Sequence, residues 1–159
     1  MGRPRCKPVE RFEELPRYEQ DSGANIAYQF VVTPGTLGLM SAGRVRAKGP
    51  TTKALDCHDG WDQIYLILKG AGTILLGRRR ISVRAGMVVR IPQKTVHGVH
   101  LKHGERIEYI YVNAFANRRA LEGLLKTLRQ PLRARASTPP DRVRAPTADA
   151  PRRGSKPPR

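Results

Sequence analysis

The chain has 159 residues, a formal net charge of +17 and 39% hydrophobic residues, below the ~45–50% of an ordinary globular chain. This length favours one domain, and no apolar run approaches the ~18 residues of a membrane-spanning helix. The N-terminus lacks the hydrophobic segment of a secretory signal, and two cysteines, Cys6 and Cys57, are too few for a disulfide framework. We therefore expect a cytoplasmic protein and exclude membrane, disulfide-rich secreted and collagen-like classes.

Residues 1–25 are predicted to be a leader, because Pro4, Pro8 and Pro16 leave room for a single helical turn at most. From Ile26 onward, segments rich in β-branched and aromatic residues alternate with glycine and proline turns. About eight short strands result, at residues 26–33, 36–47, 64–68, 73–76, 81–84, 87–91, 96–101 and 106–112. Strands at this spacing of ~8–12 residues predict an all-β sandwich or barrel over residues 26–115.

The hydrophobic period then changes to that of a helix over residues 116–130. Asn117 is a suitable N-cap, and five apolar residues follow it at helical spacing: Ala120, Leu121, Leu124, Leu125 and Leu128. We expect this short C-terminal helix to cover one face of its own barrel. A contact with a second copy of the chain is the alternative.

Residues 131–159 hold eight Arg or Lys against two Asp, seven of the thirteen prolines and only two large apolar side chains. Such a segment cannot bury enough surface to offset its ordering entropy, so it is predicted to be a disordered basic tail. A basic tail attracts polyanions non-specifically. We favour a solubilising tail over a nucleic-acid-associated protein whose barrel is a scaffold, since no aromatic residues punctuate it for base stacking.

All four histidines lie between residues 56 and 103. Because strand side chains alternate, Gln63, Tyr65 and Ile67 share one face, and His97 can converge on Gln63 from another strand. His58 precedes the strand in a loop and can join them. A histidine pair with an oxygen donor suits a divalent transition metal, although packed imidazoles are the commoner outcome for single histidines.

The same stretch resembles the cupin family of jelly-roll barrels. Gly86, Pro92 and His97 reproduce the spacing of the second cupin motif, with Lys94 in place of its middle glycine. The stretch from Gln63 to Gly70 has the spacing and hydrophobic character of the second half of the first motif. The resemblance implies a cupin-type double-stranded β-helix over residues 26–115.

The resemblance also implies a metal site. His97 matches the last cupin ligand, and Gln63 stands at the glutamate position, where it keeps an oxygen but loses the charge. The two remaining ligand positions fall on Asp56 and His58, or on Cys57 and Asp59 with the other spacing. The favoured set is Asp56, His58, Gln63 and His97. These ligands suit iron, manganese, nickel or zinc, and Cys57 as a reserve ligand would favour zinc.

By the same resemblance, the expected function is that of a metal-dependent oxygenase or isomerase acting on a small, anionic organic substrate. The alternative is a metal-free module that binds or senses a small molecule, which the replacement of the family's glutamate and of one histidine favours. A homodimer is also implied. The residues expected to contact the substrate are aromatic, because their hydroxyls and rings give an amphipathic pocket: Tyr28, Trp61, Tyr65 and Tyr109.

Overall fold

The computed structural model describes residues 9–15, 17–19, 25–51 and 55–129; the predicted tail, 131–159, lies outside these ranges. The described chain forms eight β-strands joined by turns and loops, and it ends in one helix. The elements are β1 (Arg17–Glu19), β2 (Ile26–Val32), β3 (Met40–Lys48), β4 (Trp61–Leu76), β5 (Arg79–Arg84), β6 (Val88–Ile91), β7 (His97–His100), β8 (Arg106–Phe115) and α1 (Arg118–Arg129).

The strands pair antiparallel in the order β1-β2-β3-β8-β4, and β6 also pairs with the first half of β4. The second half of β4 pairs instead with β5 and β7. Strand β4 therefore passes from one sheet to the other and joins the two layers of the barrel. The predicted all-β architecture with a short C-terminal helix is confirmed.

Strand β4 differs from its prediction, since residues 64–68 and 73–76 belong to one 16-residue strand. The register shifts between Ile67 and Lys69, and Gly70 then has a left-handed φ of +76°. A side chain at Gly70 would also collide with the carbonyl oxygen of Arg106. The Lys-Gly pair that predicted a strand end is thus a bulge and bend, at which the strand turns into the second sheet.

Part of the predicted leader, residues 9–15 and 17–19, also contributes to the fold. Its single turn is present, with the amide of Glu14 donating to the carbonyl of Arg11 over 3.0 Å. Residues 17–19 then form β1, which pairs with β2. The Gln29 side chain on β2 donates to two carbonyls of the segment 9–15, those of Phe12 (3.1 Å) and Leu15 (3.4 Å). This segment therefore lies on the outer face of the sheet.

Helix α1 begins as predicted, because the side-chain oxygen of Asn117 accepts a hydrogen bond from the amide of Ala120 over 3.0 Å. Leu121 is buried, and Ala120 lies so close to Gly60 that a side chain at position 60 would collide with it. The helix thus packs on its own barrel beside the start of β4. No helix in the described ranges is long and apolar enough to cross a membrane.

The barrel core is aliphatic at its centre and aromatic toward the end where β4 begins. Its most buried aliphatic side chains come from four strands and the loop after β7: Val45, Ile67, Ile74, Ile91, Leu101 and Ile107. Tyr65 and Tyr109 are buried beside them, and Tyr28 and Tyr111 pack against the same cluster. The polar side chains of the interior therefore lie toward the end of the barrel where β4 begins.

Candidate functional site

The first half of β4 builds one wall of the site. Its burial alternates from Trp61 to Ile67, so that Gln63, Tyr65 and Ile67 point into the barrel together, as the sequence predicted. Gln63 is 7% exposed, which is unusual for an amide side chain. Trp61 lies on the same face at the end of the barrel.

His97 lies opposite this wall on β7 and is 1% exposed. Its Nδ1 is 2.8 Å from the carbonyl oxygen of Thr95. Because a carbonyl oxygen can only accept, Nδ1 carries a hydrogen, and in the neutral tautomer that this bond selects Nε2 keeps a lone pair. Among the described residues, that buried Nε2 has no hydrogen-bond partner. His97 therefore offers a fixed acceptor to whatever enters the site.

His58 reaches the site from the loop before β4. The backbones of Asp56 and His97 exchange two hydrogen bonds of 2.8 Å, and the carbonyl of His58 accepts from the amide of Lys94 over 2.6 Å. The His58 ring stacks on Trp61, with centroids 4.4 Å apart, and meets His97 edge-on at 4.9 Å. The predicted approach of His58 and His97 is thus present in the structure.

Lys94 holds the turn that fixes this loop. Its φ is +62°, in the left-handed region that glycine tolerates best, and it occupies the position where the cupin motif has glycine. Its ammonium group also lies 3.4 Å from the Asp59 carboxylate, but both side chains are largely exposed and such a pair contributes little. The backbone contact to His58 is therefore the structural role of this turn.

Two residues that the sequence reasoning missed connect to Gln63. Its Nε2 donates to Oδ1 of Asn113 over 2.7 Å, and Nδ2 of Asn113 donates to the hydroxyl oxygen of Ser41 over 3.1 Å. All three side chains are buried, and Oε1 of Gln63 has no partner among the described residues. The alternation of side chains along β8 could have indicated Asn113, because it places Asn113 on the same face as Tyr109 and Tyr111.

Tyrosines line the interior next to these groups. The Tyr65 ring lies 4.5 Å from that of Tyr109 and 6.2 Å from that of His97. Burial raises the pKa of Tyr109 well above its ordinary value, and the nearby Tyr65, Tyr28 and Asp56 raise it further. Tyr109 is therefore a neutral phenol at physiological pH. Of the four predicted substrate contacts, Trp61 and Tyr65 touch the two histidines, Tyr109 stacks behind Tyr65, and Tyr28 packs at the edge of the core.

The predicted metal set is only partly assembled. His58 and His97 are in contact, and Gln63 lies on the adjoining wall. However, residues 9–15, 17–19, 25–51 and 55–129 contain no group of three or more His, Cys, Asp or Glu side chains placed to hold a metal ion. Asp56 is half-buried and Cys57 is exposed. The donors in contact are thus two imidazoles, with the neutral amide of Gln63 on the adjoining wall, and no described carboxylate forms a three-donor group with them of the kind that commonly completes a two-histidine site.

The basic side chains of the described residues lie outside this interior. Arg44 is the one buried basic residue described, and it points to the outer face, where its guanidinium binds the Glu108 carboxylate at 2.6 Å. Burial acts to raise the pKa of Glu108, but the hydrogen bond and charge of Arg44, followed by the charges of Arg46 and Lys69, leave it below its ordinary value. The interior therefore has no cation, among the residues described, to neutralise a buried anion.

An open groove of about 480 Å³ leads to Trp61 from outside the barrel. Helix α1 forms one wall and the start of β4 the other; the polar and aromatic side chains that line it are Asp59, Trp61, Asn117, Arg119 and Thr127. Contacts then continue from Trp61 through His58 to His97. The rings of Trp61 and His58 therefore connect this groove to His97.

Comparison with known families decides what kind of domain this is. The family model of the AraC-like ligand binding domain matches residues 38–152, which is more than two thirds of the chain. The chain belongs to this family. A search among curated protein sequences finds no match.

Solved structures confirm the cupin fold. A predicted oxalate decarboxylase from Thermotoga maritima is 18% identical, with a TM-score of 0.59 over 67% of this chain and 98% of that one. The polyketide cyclase RemF from Streptomyces resistomycificus is 14% identical, with a TM-score of 0.61 over 81% and 97%. A cupin 2 conserved barrel domain protein from Rhodopseudomonas palustris is 19% identical, with a TM-score of 0.54 over 71% and 85%. At these identities, the likeness establishes the fold alone.

Proposed function

We propose that this cupin domain binds a small, neutral, hydroxyl-bearing molecule at the end of the barrel where His58, Gln63 and His97 meet. The observation that carries the proposal is the set of buried polar atoms that lack partners within the described chain: the acceptors His97 Nε2 and Gln63 Oε1, and the donor Trp61 Nε1, which a hydroxyl oxygen can satisfy. Native proteins rarely leave buried polar atoms unpaired, because each costs ~1–3 kcal/mol. A ligand that donates hydrogen bonds to both acceptors removes that cost.

The surroundings favour a neutral ligand over the anionic substrate expected from the sequence. Burying a carboxylate without a compensating cation is strongly unfavourable, and no described Lys or Arg faces the interior. The aromatic rings of Trp61, Tyr65 and Tyr109 suit the carbon skeleton of a hydroxylated compound. Arg119 at the groove is the remaining feature that would favour an anion. A direct comparison of ligands decides between a neutral and an anionic ligand.

The test compares molecules of similar size and different charge. Thermal unfolding is measured with neutral polyols (xylitol, glucose and myo-inositol), with the dianion glutarate and with the dication cadaverine. Binding of a polyol with a Kd tenfold below its concentration would stabilise the fold by about 1.4 kcal/mol.

The matched control is His97→Leu, because polyols also stabilise proteins without binding them. We expect at least one polyol to stabilise the wild-type chain more than the variant. Equal stabilisation of both proteins by every polyol, or excess stabilisation of the wild type by glutarate instead, would contradict the proposal.

A metal-dependent reaction is the second candidate, and the orientation of His97 supports it. Metal-binding histidines usually donate their second ring N–H to a carbonyl or carboxylate, as His97 does to Thr95. His58, His97 and Gln63 would be the residues nearest the ion, but the missing carboxylate means that these residues do not form a complete site. We therefore derive no catalytic step from a metal.

Elemental analysis of untagged protein, grown with iron, manganese, nickel and zinc, tests this candidate. Stoichiometric metal that is lost in both His58→Ala and His97→Ala would favour it. The variant Gln63→Glu restores the family's carboxylate and is expected to bind divalent metal more tightly than the wild-type chain. A cytoplasmic location, a homodimer and polyanion contact through the tail stay predictions.

A further inference from the structure

Three polar side chains form a continuous row across the inner face of the barrel. Ser41 on β3 is opposite Asn113 on β8, and Asn113 is opposite Gln63 on β4. Their exposures are 0%, 5% and 7%, respectively. Three buried polar residues in one row are costly unless each is hydrogen-bonded, so the row requires an explanation.

The hydrogen bonds of the row all run in one direction. Gln63 donates to Asn113, and Asn113 donates to Ser41. Asn113 thus uses its carbonyl oxygen on one side and its amide group on the other. Since the Asn113 oxygen can only accept, Gln63 must turn its NH₂ group toward β8. Its own oxygen, Oε1, is then the atom left for the interior.

The opposite direction would give the site a different chemistry. With both amides reversed, the Ser41 hydroxyl would donate to Asn113, and Asn113 would donate to Oε1 of Gln63. The NH₂ group of Gln63 would then be the free group, and the site would combine a donor there with the acceptor of His97. In the observed direction, the free atoms of Gln63 and His97 are both acceptors, and Nε1 of Trp61 is the donor among the three buried side-chain atoms without a partner in the described residues.

We propose that Asn113 and Ser41 are positioning residues that direct Oε1 of Gln63 into the barrel and so make the site select ligands that donate hydrogen bonds. This inference rests on the proposed ligand site, but neither residue has to touch the ligand. The row acts through the Gln63 amide, whose direction it sets.

The inference is tested first without a ligand, by following the side-chain amide signals of Gln63 with ¹⁵N NMR. In the wild-type chain, we expect its Nε2 hydrogens to exchange slowly with solvent, because they are buried and bonded to Asn113. In Asn113→Ala that bond is lost, and exchange is expected to be at least tenfold faster. In Asn113→Asp the carboxyl group still accepts from Gln63, so protection is retained.

The second readout is the polyol that stabilises the wild-type chain best among xylitol, glucose and myo-inositol. Asn113→Ala is expected to bind it about fivefold to tenfold more weakly, the size of one hydrogen bond, and Asn113→Asp is expected to restore the affinity. If Asn113→Ala does not fold, Ser41→Ala takes its place, since it removes the acceptor at the end of the row.

The two proposals fail in different ways. In one case, no polyol binds the wild-type chain but Asn113 protects the Gln63 amide from exchange. The proposed ligand class and the inferred selectivity are then wrong, while the direction of the Gln63 amide is confirmed. If a polyol binds and Asn113→Ala binds it equally well, or if the Gln63 amide exchanges freely in the wild type, the positioning role is overturned.

Discussion

Two buried polar clusters lie on opposite faces of strands β3 and β8, and they differ in how completely their hydrogen bonds are satisfied. On the outer face, Arg44 binds Glu108 through Nε (2.8 Å) and Nη2 (2.6 Å), and its guanidinium stacks 4.5 Å from the centroid of Phe12. On the inner face, the row from Ser41 to Gln63 ends in an acceptor without a partner in the described chain.

The difference separates a structural cluster from a functional one. The outer cluster attaches the segment 9–15 to the sheet, and its charges are neutralised within the chain. The inner cluster leaves the acceptors of His97 and Gln63 without a hydrogen bond from any described residue, and the donor Trp61 Nε1 is likewise unpaired there. Buried polarity that the fold satisfies contributes to stability, whereas buried polarity left open indicates a ligand.

Breaking the outer cluster is expected to have the largest effect on stability. Glu108→Leu leaves the buried guanidinium of Arg44 with no carboxylate, and we expect the free energy of unfolding to fall by about 3 kcal/mol. Urea denaturation measures this. The matched control is the double variant Arg44→Met/Glu108→Leu, which removes both charges and should recover most of the loss. A loss below ~0.5 kcal/mol in the single variant would show that the pair has no structural role.

The same ion pair predicts how stability depends on pH. The folded-state pKa of Glu108 is lowered, whereas the unfolded value is about 4.3. The contribution of the pair is therefore fully present above about pH 5 and is lost as the pH falls through the folded-state pKa. Melting temperatures of the wild type and Glu108→Gln, measured from pH 7 to pH 3, should converge toward the acid end. A constant difference would place the origin of the stabilisation elsewhere.

A smaller and opposite effect on stability is expected at Lys94, in the turn that fixes the loop carrying His58. Lys94→Gly relieves the left-handed strain of ~1–2 kcal/mol, and the added freedom of the unfolded chain offsets part of this, so we expect a gain of about 0.5–1 kcal/mol. Gln93→Gly, one residue earlier and without a positive φ, serves as the control and should destabilise. A loss of stability in Lys94→Gly would mean that its side chain contributes more than its backbone conformation costs.

These elements also show where the sequence was informative. The strands, the helix cap and the parity of Gln63 follow from local patterns, and the Gly86–Pro92–His97 spacing resembles a family motif, so they could be predicted. The bend at Gly70 could not, because a Lys-Gly pair is equally compatible with a strand end. The role of Asn113 and Ser41 depends on the pairing of β3, β8 and β4, and such long-range register is not readable from one segment.

The docking of the leader shows the same limit. Phe12 and Arg44 are 32 positions apart in the chain, and the sequence gives no signal that they stack. The site residues divide in the same way: His58 and His97 were predicted to converge and do so, whereas Asp56 was placed in the set by the resemblance and forms no three-donor group with them.

¹⁵N NMR of the His97 ring during titration with the neutral polyols shows whether Nε2 is an open acceptor for a ligand. We expect a neutral ring with hydrogen on Nδ1, and an Nε2 resonance that shifts when one of the neutral polyols is added. A ring that is already protonated or bonded at Nε2 would contradict this expectation. So would an Nε2 resonance that ignores every polyol and responds instead to a divalent metal.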